Sequence, residues 1–209
     1  MLDLRVPALP TESGERLTHE AYKREFWAVD AKIRNGHSWK LERRQHFLEH
    51  GNASRDALAR GDWQEALRLL EAGRDKVRAV GQDDERRGNV FHRLRVVEEP
   101  LSPYLQWELH TLRLRAEYGE QIRVLPASVI AAAETDGLLP EVTLLDGHTL
   151  FQVLYGADGA SYAAIRYAGS DVVSGWLAYI TQLYAAGEDL ASYFDRVVAT
   201  LPPPTIAPE

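Results

Sequence analysis

The chain has 209 residues, 45% hydrophobic and 26% charged, with a formal net charge of −7. These proportions suit one domain of ordinary size plus an appendage and exclude a wholly disordered chain. Cysteine is absent, which excludes disulfides, thiolate nucleophiles and cysteine-bound zinc.

Residues 1–18 hold two prolines and little periodicity, so an extended, flexible arm is expected. From residue 19 to about 33, Tyr22, Phe26, Trp27, Val29 and Ile33 recur at helical spacing. Asn35-Gly36 ends that run. Trp39, Leu41 and Phe47 then lie among Lys40, Arg43, Arg44 and His46. Ser54 suits the cap of a short helix. Asp62, with Glu65 three residues on, suits the cap of a longer one reaching about Val80. ALARGDWQEALRLLE looks like the helical hairpin of a tetratricopeptide repeat, present once where a solenoid needs several copies. The polar stretch GQDDERRG at 81–88 is the expected domain boundary. It divides an N-terminal helical region, 19–88, from a sheet domain, 89–200.

Beyond it the texture changes. Residues 90–97 read as a strand stopped by Glu98-Glu99-Pro100. Ser102-Pro103 is a helix start, a cap followed by proline at the first helical position, and that helix reaches Tyr118. Residues 121–125 are a second strand, and a strand–helix–strand unit of this length predicts parallel pairing with a right-handed crossover. Three more strands, near 141–145, 149–155 and 161–168, are separated by Asp146-Gly147 and Asp158-Gly159, dipeptides suited to tight hairpin turns. Two helices follow, broken at Gly187, and LPPPTIAPE at 201–209 is expected to be a mobile proline-rich tail. The predicted class is α+β, with the order β-α-β-β-β-β-α-α from residue 89.

Charge is uneven. Residues 1–88 carry 17 basic and 16 acidic groups, and residues 89–209 carry 7 and 15. An acidic sheet domain disfavours phosphate contacts. The mixed segment with Lys40, Arg43 and Arg44 is the candidate for weak nucleic-acid binding. No apolar run approaches the roughly 18 residues of a membrane span, and the N-terminus lacks a signal-peptide pattern. A cytoplasmic protein is expected.

FHRLRVVEEPLSPYLQWELHTLRLRAEYGEQIRVLP and WKLERRQHF…DALARGDWQEALRLLE resemble an actinobacterial family of unknown function, EEPLSPYLQWEL being the most specific string. Its members are often encoded near small helix-turn-helix regulators, so the resemblance implies such a regulator as a partner. The order from residue 89 also looks like half of a phospholipase-D-like domain, a module that regulators use in degenerate form for ligand binding or dimerisation. The catalytic form needs His-x-Lys-x4-Asp, and none of the seven histidines here has lysine two residues on. The resemblance therefore implies binding without phosphodiesterase chemistry, with a homodimer as one possible state.

Candidate ligand-binding residues follow from the pattern. Glu98 and Glu99 end a strand just before a helix, where ligands of open α/β sheets bind, although acids there also suit the helix dipole. Tyr104, Trp107 and Glu108 share a helix face and suit a cationic or ring-bearing ligand, or simple packing. Arg93 and Arg95 alternate onto one strand face and suit an anion, or neighbouring acids. An enzyme with a carboxylate and aromatic crevice at this junction is the alternative function. His46-Phe47-Leu48-Glu49-His50 matches H-x-x-E-H, but Gly51-Asn52 follow at once, and no metal site is predicted. No dinucleotide, phosphate-loop or nucleophile-elbow motif occurs, so no cofactor is expected. The leading expectation is a non-enzymatic regulatory protein binding a small ligand or a regulator partner.

Overall fold

The computed structural model describes residues 2–206. In chain order it contains β1 (Glu15–Thr18), α1 (His19–Asp30), β2 (His37–Glu42), α2 (Ala53–Ala59), α3 (Trp63–Ala72), α4 (Arg74–Arg87) and β3 (Val90–Val97). Then follow α5 (Pro103–Glu117), β4 (Gln121–Pro126), α6 (Ala127–Ile130), β5 (Glu141–Leu145), β6 (Thr149–Tyr155), β7 (Ser161–Tyr167), α7 (Ser170–Ala186), β8 (Glu188–Asp189) and α8 (Leu190–Arg196). All the strands form one mixed sheet of order β1-β7-β6-β5-β2-β3-β4-β8. The class is α+β. No helix among the described residues is long and apolar enough to cross a membrane.

Several local signals act as expected. Ser102 Oγ accepts from Leu105 N at 3.1 Å, and Asp62 accepts from Glu65 N at 3.1 Å. Each satisfies a backbone donor that the first helical turn leaves free. Asp146 and Gly147 both take positive φ, 51° and 67°, as a two-residue hairpin turn requires. β3 and β4 pair in parallel.

The N-terminal region departs from expectation. It is not wholly helical: β2 lies at the centre of the sheet, parallel to β3 and antiparallel to β5. Residues 81–88 are no linker but the last turns of α4. Asp83 pairs with Arg86 and Arg87 at helical spacing, and Gly88 closes the helix at φ 68°. The predicted arm is pinned. β1 pairs with β7, Asp3 N donates to Gln182 Oε1 at 3.1 Å, and Leu2, Leu4 and Leu9 pack on the core. At the other end Gln106 Nε2 donates to Pro202 O at 2.8 Å and Ile206 packs beside Tyr104 and Trp107. The rest of the proline-rich tail, 207–209, lies outside the described residues.

The two sheet faces differ. One is apolar: Leu41, Leu94, Val96, Leu125, Val142 and Leu144 meet Trp176, Ile180 and Leu183 of α7. The other is divided. At one side α1 lays Tyr22, Phe26 and Val29 on Leu17, Leu145 and Phe151. At the other, Leu105, Leu109 and Leu112 of α5, with α8, cover Ile122 and Val124. Between them the strands present polar side chains in register, Lys40 beside Arg93 and Thr143, and Glu42 beside Arg95. Strand alternation puts all of these on one face. Gly81 allows α4 to lie against Tyr118 at the end of α5, where a Cβ would collide with the Tyr118 backbone. The space left between α1 and α4 is the candidate site.

Candidate functional site

The structure does not gather the residues at the β3–α5 junction into a crevice. Glu98 is exposed, with Oε1 2.7 Å from Arg43 Nη1, while Glu99 accepts from Tyr193 OH at 2.8 Å. Adjacent residues diverge, so the two carboxylates serve different neighbours. Tyr104 is buried and donates to Glu49 Oε1 at 2.8 Å. Trp107 Nε1 donates to Ser54 Oγ at 2.9 Å, tying α5 to the α2–α3 hairpin. Arg95 is wholly buried; its Nε donates to Glu108 Oε2 at 2.7 Å, and its Nη1 donates to the carbonyls of Val96 and Glu42. Nη2 lies 2.7 Å from the same Glu108 oxygen, outside hydrogen-bond geometry. Burial pushes the Glu108 carboxyl up despite the attraction of Arg95. These groups fasten α5 to the sheet.

The basic segment likewise forms no common surface. Lys40 faces the space under α1, whereas Arg43 is buried and bidentate to Glu134 through Nε and Nη2 at 2.7 and 2.8 Å. Arg44 Nη2 donates to Gly156 O at 3.2 Å. His46 Nε2 lies 2.8 Å from Arg55 Nη2, and Glu49 accepts from Asn52 and Tyr104. Residues 43–49 follow the end of β2 without a helix, so H-x-x-E-H lacks the helix that would bring its two histidines together. Among the described residues no group of three or more His, Asp or Glu is placed to hold a metal ion.

What the fold does create is a cleft of about 890 Å³ between α1 and α4. Its floor is Lys40, Phe91, Arg93 and Thr143. Tyr22, Phe26 and Trp27 of α1 form one wall, and Val77 and Val80 of α4 the other. Trp27 is 61% exposed and Val80 51%, so apolar surface on both helices is open to the cleft. One end is closed by Arg87, which pairs with Asp30 of α1 at 3.0 Å and with Asp84 at 2.6 Å. Asn89 Nδ2 donates to Asp84 Oδ1 at 2.9 Å at the same end.

A continuous ionic ladder runs beneath and beside this cleft. Glu42 Oε1 is 2.6 Å from Lys40 Nζ and 2.7 Å from Arg93 Nη1. Arg93 Nε is 2.6 Å from Glu120 Oε1, and Arg115 approaches Glu120 at 3.7 Å. Burial alone would raise the Glu42 carboxyl, but Arg93, Lys40 and Arg95 outweigh it and hold it below the ordinary carboxylate range. Burial, reinforced by the Glu42 charge, pushes the Tyr22 phenol up to about 12, against the pull of its hydrogen bond with Thr143. Behind the ladder Glu141 is buried. Its Oε1 accepts from the backbone N–H groups of Arg43 and Arg44 at 2.9 and 2.6 Å. Burial still pushes its carboxyl up to about 7.

Of the residues singled out in the sequence, Lys40 and Arg93 reach the cleft. Thr143, Phe91 and the α1 aromatics carry no site signal in the sequence. The signal for the floor was present: Ser38, Lys40 and Glu42 alternate with Trp39 and Leu41, the period of a half-buried strand.

Fold and site together define a mixed-sheet α+β protein with an amphipathic cleft over an ionic floor. The chain belongs to the family described as "Domain of unknown function (DUF6879)", whose profile matches residues 23–195. No curated protein matches the chain in sequence. Among solved structures it is similar to TrmBL2, an archaeal chromatin protein whose structure shows a novel mode of DNA binding. That likeness covers 87% of this chain and 55% of the other, with 10% identity and a TM-score of 0.41. The chain thus spans about half the length of that protein.

Proposed function

We propose that the protein is a non-enzymatic regulatory protein that holds a small ligand in the cleft between α1 and α4. The observation that carries this reading is the joining of a polar, charged floor to open aromatic and aliphatic walls in a space of about 890 Å³. Small-molecule sites combine these features, a mostly apolar lining with a few placed polar groups. The carboxylates at the β3–α5 junction are engaged by Arg43, Tyr193 and Arg95, which favours binding over acid–base chemistry. On this reading the sheet serves as degenerate phospholipase-D-like modules do in regulators, as a frame for a ligand.

The test is a thermal-shift screen of a chemically diverse metabolite library, with hits mapped by amide and indole NMR. Stabilising compounds should move the signals of Trp27, Val80 and Thr143. The proposal fails if no compound stabilises the protein, or if every hit maps away from those residues.

A further inference from the structure

We infer that the ligand of this cleft is a monoanionic amphipath, a small acid with one carboxylate and an apolar body, its carboxylate held by Lys40. This rests on the cleft being the binding site and adds the chemistry of its occupant.

The argument begins with the ionic ladder. Lys40, Arg93 and Arg115 supply three positive charges, and Glu42 and Glu120 supply two negative ones. The connected group therefore carries one uncompensated positive charge. A single carboxylate balances it, whereas a dianionic phosphate ester leaves a negative charge over. The donors point the same way. Arg93 spends Nε on Glu120 and Nη1 on Glu42. Lys40 has three N–H donors, and Glu42 Oε1 is the acceptor it meets, an oxygen shared with Arg93. Its side chain remains 28% exposed, so the ammonium can meet a ligand from the cleft.

The opposite end has the opposite sign. Asp30, Asp83 and Asp84 meet two guanidiniums, Arg87, which pairs with all three, and exposed Arg86, which pairs with Asp83. One negative charge is left over, and the C-termini of α1 and α4 both lie there, adding the negative ends of two helix dipoles. Asn89 marks that end and Arg93 the other; four residues of strand separate them by roughly 13 Å. An anion is thus repelled from the Arg87 end and drawn to Lys40. That polarity fixes orientation: head down on Lys40 beside Thr143, apolar body upward between Phe26, Trp27 and Val80. An apolar body seated between these walls displaces water from around the charged head and so strengthens the ionic contact relative to water.

The experiment compares octanoate, octylamine and 1-octanol, which share a body and differ in head group, by NMR titration of the full chain at low ionic strength. Octanoate should shift Trp27, Val80 and Thr143 and bind about tenfold more tightly than octylamine, the scale of one charge-assisted contact. Lys40→Met should abolish that preference, while Lys40→Arg should keep most of it. Circular dichroism of each variant shows that the fold persists. If octylamine or octanol fills the cleft as tightly as octanoate, or the preference survives Lys40→Met, the anionic head group is wrong and the cleft remains the site. If none of the three perturbs Trp27, Val80 or Thr143, both readings fall.

Discussion

At the scale of single residues, the side chains easiest to nominate for chemistry are those that hold α5 in place. Paired acids beside a helix start suggest a reactive crevice, but Glu98 and Glu99 point to different neighbours, and the Arg95–Glu108 pair sits under a helix. Sequence spacing places Tyr104, Trp107 and Glu108 on one face, and they do share it. What spacing cannot show is that this face is pressed against the sheet and the α2–α3 hairpin. Glu141 gave no sequence signal, because its behaviour comes from burial beside residues a hundred positions away. Burial pushes its folded carboxyl up to about 7, against an ordinary value of 4.5. Ionising it in the folded state is therefore costly. Its destabilising effect is absent below about pH 4.5 and fully present above about pH 7, some 3 kcal/mol by the usual conversion. Glu141→Gln keeps an oxygen for the amides of Arg43 and Arg44 and removes the buried charge. Urea denaturation at pH 5 and pH 8 should show the variant gaining on the wild type as pH rises. A difference that does not vary with pH contradicts the assignment.

At the scale of elements, the helix starts at Asp62 and Ser102 are legible, but the single helix expected from Asp62 to about Val80 is two, α3 and α4, which meet at Gly73, and the second runs on to Arg87. Ser102-Pro103 and Asp62 cap helices because their chemistry is local. GQDDERRG looks like a linker because it is polar and ends in glycine. It is helical because Asp83, Arg86 and Arg87 pair along α4, and because Arg87 reaches across to Asp30 and its carbonyl. The terminal glycine is a cap rather than a hinge. Gly88 takes φ 68°, and a Cβ there would press on Asn35, its backbone at 3.2 Å and its side chain nearer. Gly88→Ala should lose about 1–2 kcal/mol through the strained φ and this crowding, read as a lower denaturation midpoint with an unchanged slope. Because Asn89 and Asp84 adjoin this cap, the closed end of the cleft should loosen as well.

At the scale of the whole molecule, order along the chain and neighbourhood in the sheet diverge. The strand–helix–strand unit from 90 to 126 and the hairpins beyond it were readable from local signals. The placement of β2 was not, because nothing within residues 37–42 says that they fit between two strands more than fifty and a hundred residues downstream. The expected boundary near 88 therefore has a sharp test. A chain of residues 89–209 lacks β1 and β2 and leaves β3 and β5 with unpaired edges and no strand between them. It should be aggregated or largely unfolded by size-exclusion chromatography and circular dichroism. A monomeric, cooperatively unfolding fragment would restore the two-domain division.

The central position of β2 also sets a timetable for the nascent chain. Leu41 pairs with Val142 and Leu17 with Ala164, so each early strand emerges from the ribosome about a hundred residues or more before its antiparallel partner. At synthesis rates of about 5–20 residues per second, β2 waits roughly 5–20 seconds with one edge open. During that interval Trp39 and Leu41 have no α7 to cover them, since α7 is made later still. The yield of newly made protein should therefore rise when a holding chaperone is co-expressed, by more than the finished sheet, in which β2 has a neighbour on each side, would suggest.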